Sequence, residues 1–153
     1  MNQEERREHI KLVEETIPII QKMGIKVLEF RECYAKLMLP MDKNLNHIGI
    51  IYAGSLFTLG EISGGAIFNA AFDNKKFYPI VKDAAIRYKR MATTDVTVEV
   101  KMTEEEAEKI SKQAENEGKA DYSLNLEIKD ANGEICCIVT GTWQIRKSNI
   151  VVS

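Results

Sequence analysis

Glu61 is the side chain that most invites a chemical reading. It is the only charged residue between His47 and Asp73, in a stretch otherwise built from apolar and small residues. Lost hydration pushes the pKa of such a carboxylate upward, toward the range in which it acts as a general base; it can also attack directly as a nucleophile. The plain alternative is a solvated or structurally hydrogen-bonded glutamate. Residues 51–54 open the same stretch. At the start of a buried helix their N–H groups would lack intrahelical partners and carry the positive end of the helix dipole, a place for an oxygen that becomes negative. Small residues there, Ala53 and Gly54, let a substrate approach the backbone.

The elements that must position these groups can be read in order. Residues 3–22 carry Ile10, Val13, Ile17 and Ile20 at helical spacing among charges, with Pro18 as a kink or stop and Gly24 as an end. Residues 25–30 and 33–39 are short strand-like runs, expected as a hairpin closed by Pro40, and 41–47 reads as a polar loop. Residues 50–72 are apolar on all sides, which predicts a buried helix. Residues 77–91 read as a long strand. Val96, Val98, Val100 and Met102 then alternate with polar residues. Thr103 with Glu106 is a capping box opening a surface helix over 104–116. Residues 122–129 alternate again, Asn132-Gly133 signals a hairpin, and 135–145 returns as a strand, with 146–153 left to pair briefly or fray. Strands and helices do not alternate regularly, so the class is α+β with an antiparallel sheet.

The run Asn46-His47-Ile48-Gly49-Ile50-Ile51-Tyr52-Ala53-Gly54-Ser55-Leu56-Phe57-Thr58-Leu59-Gly60-Glu61 resembles the signature of hotdog-fold acyl-CoA thioesterases, and looks most like the phenylacetyl-CoA and 4-hydroxybenzoyl-CoA thioesterase branch. Asn46, Gly49, Gly54 and Glu61 fall in register with that pattern. Tyr52 stands where the family usually has histidine, and Ala53 where it often has glycine. The run 86–96, containing Tyr88-Lys89-Arg90-Met91-Ala92, resembles the strand that follows. The resemblance covers about residues 25–146. It implies a hotdog fold: a curled antiparallel sheet around one long central helix, here with an added N-terminal helix (1–22) and a surface helix between strands, in one domain spanning 1–153.

The resemblance further implies hydrolysis of an acyl thioester, with Glu61 as base or nucleophile and the Ala53 N–H, beside Gly54, as oxyanion donor. Asn46 would orient water or the thioester oxygen, unless it is a turn or cap residue; Asn44 competes for that role. Gly49, Tyr52 and Ser55 are candidate substrate-binding residues, although Tyr52 could simply pack at the helix start. Arg87, Lys89 and Arg90, with Lys101 as a distant outsider, could meet the phosphates of coenzyme A, unless they are merely a solvated strand face. Phe57 and Phe68 would influence pocket depth. Ala53 and Glu61 lie eight residues apart, about 12 Å along a helix. One carbonyl cannot touch both in a single chain, so joint action requires a second copy across a two-fold axis. A homodimer is therefore expected, and a homotetramer is compatible with the family.

Other readings stay open. Asp42-x-Asn44-x-x-His47 matches the spacing of hotdog enoyl-CoA hydratases, without their proline after the asparagine. A non-catalytic acyl-thioester-binding protein is another reading. Cys33 paired with a histidine as nucleophile is a weaker one, because a thiol needs an activating environment. The 153 residues have 44% hydrophobic and 29% charged side chains and a net charge of -2, ordinary for a soluble protein and poor for a general nucleic-acid binder. Cys33, Cys136 and Cys137 are odd in number and lack metal spacing, so reduced thiols and no metal are expected. The charged residues 1–7 do not look like a signal peptide, and Glu61 and the glycines argue against a membrane span over 48–72, so a cytoplasmic location is expected. No cofactor is expected beyond coenzyme A as part of the substrate.

Overall fold

A computed structural model describes residues 1–149. The elements follow in order: α1 (Gln3–Glu15), α2 (Pro18–Met23), β1 (Lys26–Arg31), β2 (Tyr34–Leu39), α3 (Ala53–Ala71), β3 (Phe77–Tyr88), β4 (Val96–Lys101), α4 (Glu104–Glu117), β5 (Lys119–Lys129) and β6 (Ile135–Lys147). The six strands form one sheet in the order β1-β2-β4-β5-β6-β3, every neighbouring pair antiparallel. The sheet curls about α3, which touches β2, β3, β4, β5 and β6. This is the hotdog fold.

Alternation along the strands supplies the sheet's inner face. Leu37, Leu39, Val96, Val98, Val100, Ile128, Val139, Trp143 and Ile145 are all buried there, against Leu56, Leu59, Ala66 and Ile67 of α3. Two glycines set how deeply the helix sits. A Cβ on Gly60 would lie 2.5 Å from a Val139 methyl, and one on Gly64 would overlap the Trp143 indole nitrogen. The Tyr122 hydroxyl donates to the Gly64 carbonyl at 2.8 Å, tying the same turn to β5.

Several expectations are corrected. The single helix over 3–22 is two helices. Pro18 lacks an N–H and its ring would clash with the preceding turn, so α1 ends at Glu15 and the proline becomes the first residue of α2. The central helix starts at Ala53 rather than residue 50, because Tyr52 is still extended (φ -61, ψ 134). Nor is that helix buried all round. Gly54, Phe57, Thr58, Glu61, Gly65 and Asn69 are only partly buried. At spacings of three and four they form one stripe, the less covered side of the helix. Cys33, expected at the start of a strand, occupies the β1–β2 turn with φ 59; its N–H donates to Ala70 O and its carbonyl accepts from Met102 N. β3 ends at Tyr88, where the Lys89 and Arg90 N–H groups turn to Cys136 O. Of the 146–153 tail, Arg146 and Lys147 extend β6, while 150–153 lie outside the described residues.

The Thr103–Glu106 capping box forms as expected, and α4 buries only Ala107 and Ala114. The Asn132-Gly133 turn also forms, in a different geometry. Asp130 N donates to Glu134 O, Gly133 alone is left-handed (φ 80), and the Asp130 carboxylate accepts from Asn132 N and Glu134 N. That is the three-residue hairpin loop with glycine at its left-handed position, rather than a two-residue turn.

The helix–sheet contact makes a prediction about neighbouring glycines. Gly64→Ala should lower the melting temperature, because the new methyl overlaps a large buried ring, at a cost of about 1–3 kcal/mol. At Gly65 a Cβ meets nothing nearer than 3.7 Å, so Gly65→Ala should be neutral or raise stability by up to about 1 kcal/mol through helix propensity. Thermal melts of both variants check this; equal losses would contradict the packing described.

Candidate active site

The start of α3 has a specific pattern of used and unused donors. The Ile51 N–H donates to Ala92 O at 3.0 Å and the Tyr52 N–H to Asn44 O at 2.8 Å. The Ser55 and Leu56 N–H groups both reach Tyr52 O. Among the described residues, the Ala53 and Gly54 N–H groups have no partner. The four residues expected to offer donors thus reduce to two, both at the positive end of a 19-residue helix. Such a pair of pre-aimed backbone donors can hold an oxyanion.

A cleft of about 310 Å³ adjoins this point. Its walls include Asn46, Ala53 and Leu56 from one sequence run and Tyr88, Lys89 and Arg90 from the other. The two runs that carried the resemblance therefore meet in one place. The Tyr88 hydroxyl donates to Ala53 O at 2.8 Å and pins the helix start to the end of β3. Tyr88 was legible only as part of a strand run; its role needs the pairing of distant segments.

The Asn46-x-x-Gly49 portion of the signature is a turn. Asn46 N donates to Ile50 O, Gly49 N donates to Asn46 O, and Gly49 is left-handed (φ 81). The Asn46 side-chain oxygen accepts from Ile48 N and Ile50 N. The same bonds recur at Asp130–Glu134, so the chain builds this loop twice, once without any adjoining site. The Asn46 oxygen is thus occupied by its own backbone, while its Nδ2 has no partner among the described residues and its side chain still borders the cleft. Asn44 is buried, its amide donating to Met23 O and Pro40 O. That structural use removes it as a competitor for Asn46.

Glu61 sits on the less covered stripe of α3, about 12 Å below Ala53. Burial raises its pKa, and the Trp143 indole opposes that shift. Trp143 Nε1 is itself fully enclosed and meets no acceptor at good hydrogen-bond geometry. The carboxylate is therefore near that N–H without closing an ideal bond. Tyr122, buried on β5, feels the Glu61 charge. Trp143 was missed as a functional candidate. Its inward position on an alternating strand was visible, but not its register against Gly64.

The remaining candidates divide. The Tyr52 side chain is 57% exposed and lies over Gly54. Ser55 is buried just inside the helix start. Lys89 and Arg90 border the cleft, and Arg90 also pairs with Glu134 at 3.1 Å. Arg87 does not border it, since side chains alternate along β3 and its neighbour Tyr88 takes the cleft side. Lys101 is on β4, elsewhere on the sheet. Asp42 and His47 are exposed and outside the cleft, with inward-facing Asn44 between them. The Cys33 thiol is pushed up by burial and by Glu104 and Glu32, the reverse of activation. The three cysteines are free, Cys136 and Cys137 buried. Among the described residues no cluster of three metal-ligating side chains occurs, and no helix is long and apolar enough to cross a membrane.

The chain resembles solved structures along nearly its whole length. A Pseudomonas aeruginosa protein of unknown function, described as a "Probable Thioesterase", is 38% identical, with a TM-score of 0.87 over 93% of this chain and 95% of that one. A Haemophilus influenzae thioesterase is 12% identical, with a TM-score of 0.70 over 94% of each chain, a likeness of fold alone. A Chlorobaculum tepidum protein of unknown function is 18% identical, with a TM-score of 0.81 over 94% of each chain, again a likeness of fold. No curated protein matches. The family model described as "Putative thioesterase (yiiD_Cterm)" matches residues 7–147; with that match spanning both the helix start and Glu61, the chain belongs to this thioesterase family of the hotdog fold.

Proposed function

We propose that the protein hydrolyses acyl-CoA thioesters at a site completed by a second copy of the chain. The observation that carries the reading is the pairing of two unpartnered N–H groups, Ala53 and Gly54, with a lone carboxylate on the less covered stripe of the same helix. Two copies of α3 laid antiparallel, stripe to stripe, bring Glu61 of one to the helix start of the other, giving two equal sites. The stripe suits such a cover: apart from Glu61 it carries no charge.

In this reading the Ala53 and Gly54 N–H groups receive the thioester oxygen and strengthen their hold as it becomes negative. Glu61, from the partner helix, either takes a proton from water as the water oxygen bonds to the carbonyl carbon, or bonds to that carbon itself and is released by water in a second step. In the first route collapse breaks the carbon–sulfur bond and the proton held by Glu61 passes to sulfur; in the second, collapse expels coenzyme A as thiolate and leaves an acyl-Glu61 anhydride, which water hydrolyses, one water proton going to the thiolate and the carboxylate being restored. Tyr88 holds the donor end of the helix in place, Tyr52 flanks it, and Lys89 and Arg90 lie where coenzyme A phosphates can meet them. Coenzyme A enters as part of the substrate, and no other cofactor is required by this chemistry.

Thiol release from a panel of acyl-CoA esters tests the proposal. Glu61→Gln should lower the rate at least tenfold, on the scale of about 10²–10⁴ for lost general-base or nucleophilic catalysis; equal rates would remove Glu61 from the mechanism, and saturable binding without turnover would make the protein a binder. A second prediction concerns pH. Glu61 works as the carboxylate, so the rate falls as pH drops through its pKa. Trp143 lowers that pKa, so Trp143→Phe should raise it and move the acidic limb of kcat/KM to higher pH. An unmoved limb would show that the indole does not influence the carboxylate.

A further inference from the structure

A second cavity, of about 450 Å³, lies between α1, α3 and the start of β3. It sits within the ordinary size range of small-molecule pockets, about 300–1,000 Å³. Its principal walls are Leu12 and Ile17 from the N-terminal segment, Ile62, Gly65 and Phe68 from α3, and Tyr78 from β3. None of its lining residues is charged. The polar Asn69 beside it is already engaged, its amide donating to Gly65 O and its oxygen facing His9.

This groove opens one helical turn from the proposed catalytic carboxylate. Gly65 follows Glu61 by one helical turn, so the two share a face, and Ile62 is Glu61's immediate neighbour. The floor at Gly65 is open, since a Cβ there would meet only the tip of Ile62 at 3.7 Å. Leu12, Ile17 and Tyr78 remain 44%, 43% and 45% exposed around it.

We infer that this groove is the acyl-chain site, taking an uncharged aliphatic chain, with the N-terminal helix as the wall that sets chain length. The inference rests on the hydrolase reading and deepens it. A thioester whose carbonyl lies at Glu61 has its acyl chain leaving toward Gly65, beyond the partner helix, which begins opposite Glu61. There the chain exchanges water for the side chains of Leu12, Ile62 and Phe68. A terminal carboxylate, as in dicarboxylic acyl groups, would find no cation among the lining residues. The coenzyme A portion is met by Lys89 and Arg90 of the copy that supplies the oxyanion donors, not by those of the copy that supplies Glu61 and the groove.

The test uses a saturated acyl-CoA series of increasing chain length, one dicarboxylic acyl-CoA, and the matching non-hydrolysable thioethers. For the native protein, kcat/KM and thioether affinity should both climb with each added methylene, about threefold to fourfold per buried group, until the groove is full; the dicarboxylic ester should be turned over at least tenfold less well than its apolar counterpart. Gly65→Leu fills the floor and Leu12→Asp places a charge on the wall. Both should lower the ratio of long-chain to short-chain kcat/KM at least tenfold, and Gly65→Ala, the smallest change, should lower it less. A flat chain-length profile in the native protein, or a profile unmoved in all three variants, would overturn the inference while leaving hydrolysis standing. A thioether affinity gradient that Gly65→Leu abolishes, with no turnover of any ester, would keep the groove and overturn the hydrolase reading.

Discussion

The contact between α3 and β6 governs the rest of the molecule. Gly60 and Gly64 present bare backbone to Val139 and Trp143, so the helix lies deeper in the curl of the sheet than one bearing side chains there could. Burial of Leu59, Ala66 and Ile67 on the flanking positions drives the two together. Once those faces are committed to the sheet, the rotation of the helix is settled. Gly54, Phe57, Glu61, Gly65 and Asn69 are then left on the less covered side. The half-buried place of the carboxylate, within reach of the sheet's Trp143 and Tyr122, is thus a consequence of small residues on the side pressed into the sheet. The indole that lies on Gly64 is the same group that reaches the Glu61 carboxylate, so packing and electrostatics converge on one ring.

A second set of contacts readies the helix start. Left alone, the chain before a helix would offer N–H groups to water in several conformations. Here Ala92 and Asn44 accept from the two residues that precede α3, and Tyr88 grips Ala53 through its carbonyl. Asn44 is itself held by Met23 and Pro40, which connects the end of α2 to the site. The two donors left over are consequently pre-aimed, and pre-aimed donors need no reorganisation as charge develops. The Asn46–Ile50 turn serves this geometry by returning the chain to the helix start.

Much of this was legible beforehand, and the exceptions have physical causes. Strand alternation at 96–102 and 122–129, the Thr103 capping box and the apolar run at 50–72 are local signals, and each gave the right element. Pro18 was ambiguous between kink and stop because only the tertiary course of α2 decides it. The helix start was misplaced by three residues because Ile50, Ile51 and Tyr52 are apolar enough to continue a helix, and what holds them extended comes from Ala92 and Asn44, distant or on the loop before. The less covered stripe was hidden by its composition: glycine and phenylalanine look like core. Asn46 read equally well as chemistry or turn until its bonding pattern could be laid beside that of Asp130. Arg87 and Lys89 looked alike until the register of β3 put them in different settings.

The account stands on the claim that no single chain can supply both the donors and the carboxylate to one carbonyl. Hybrid dimers test it most directly. Ala53→Pro removes one donor yet suits the first helical position, with Tyr52 already extended before it; Glu61→Gln removes the carboxylate. Each variant alone should lose at least tenfold in rate. Unfolded and refolded together in equal amounts, they should recover about one quarter of native thioesterase activity, because half the dimers are hybrids and each hybrid restores one of its two sites. Hybrid dimers, demonstrated by differential tags, with no recovered activity would place both groups' work within one chain and contradict the account.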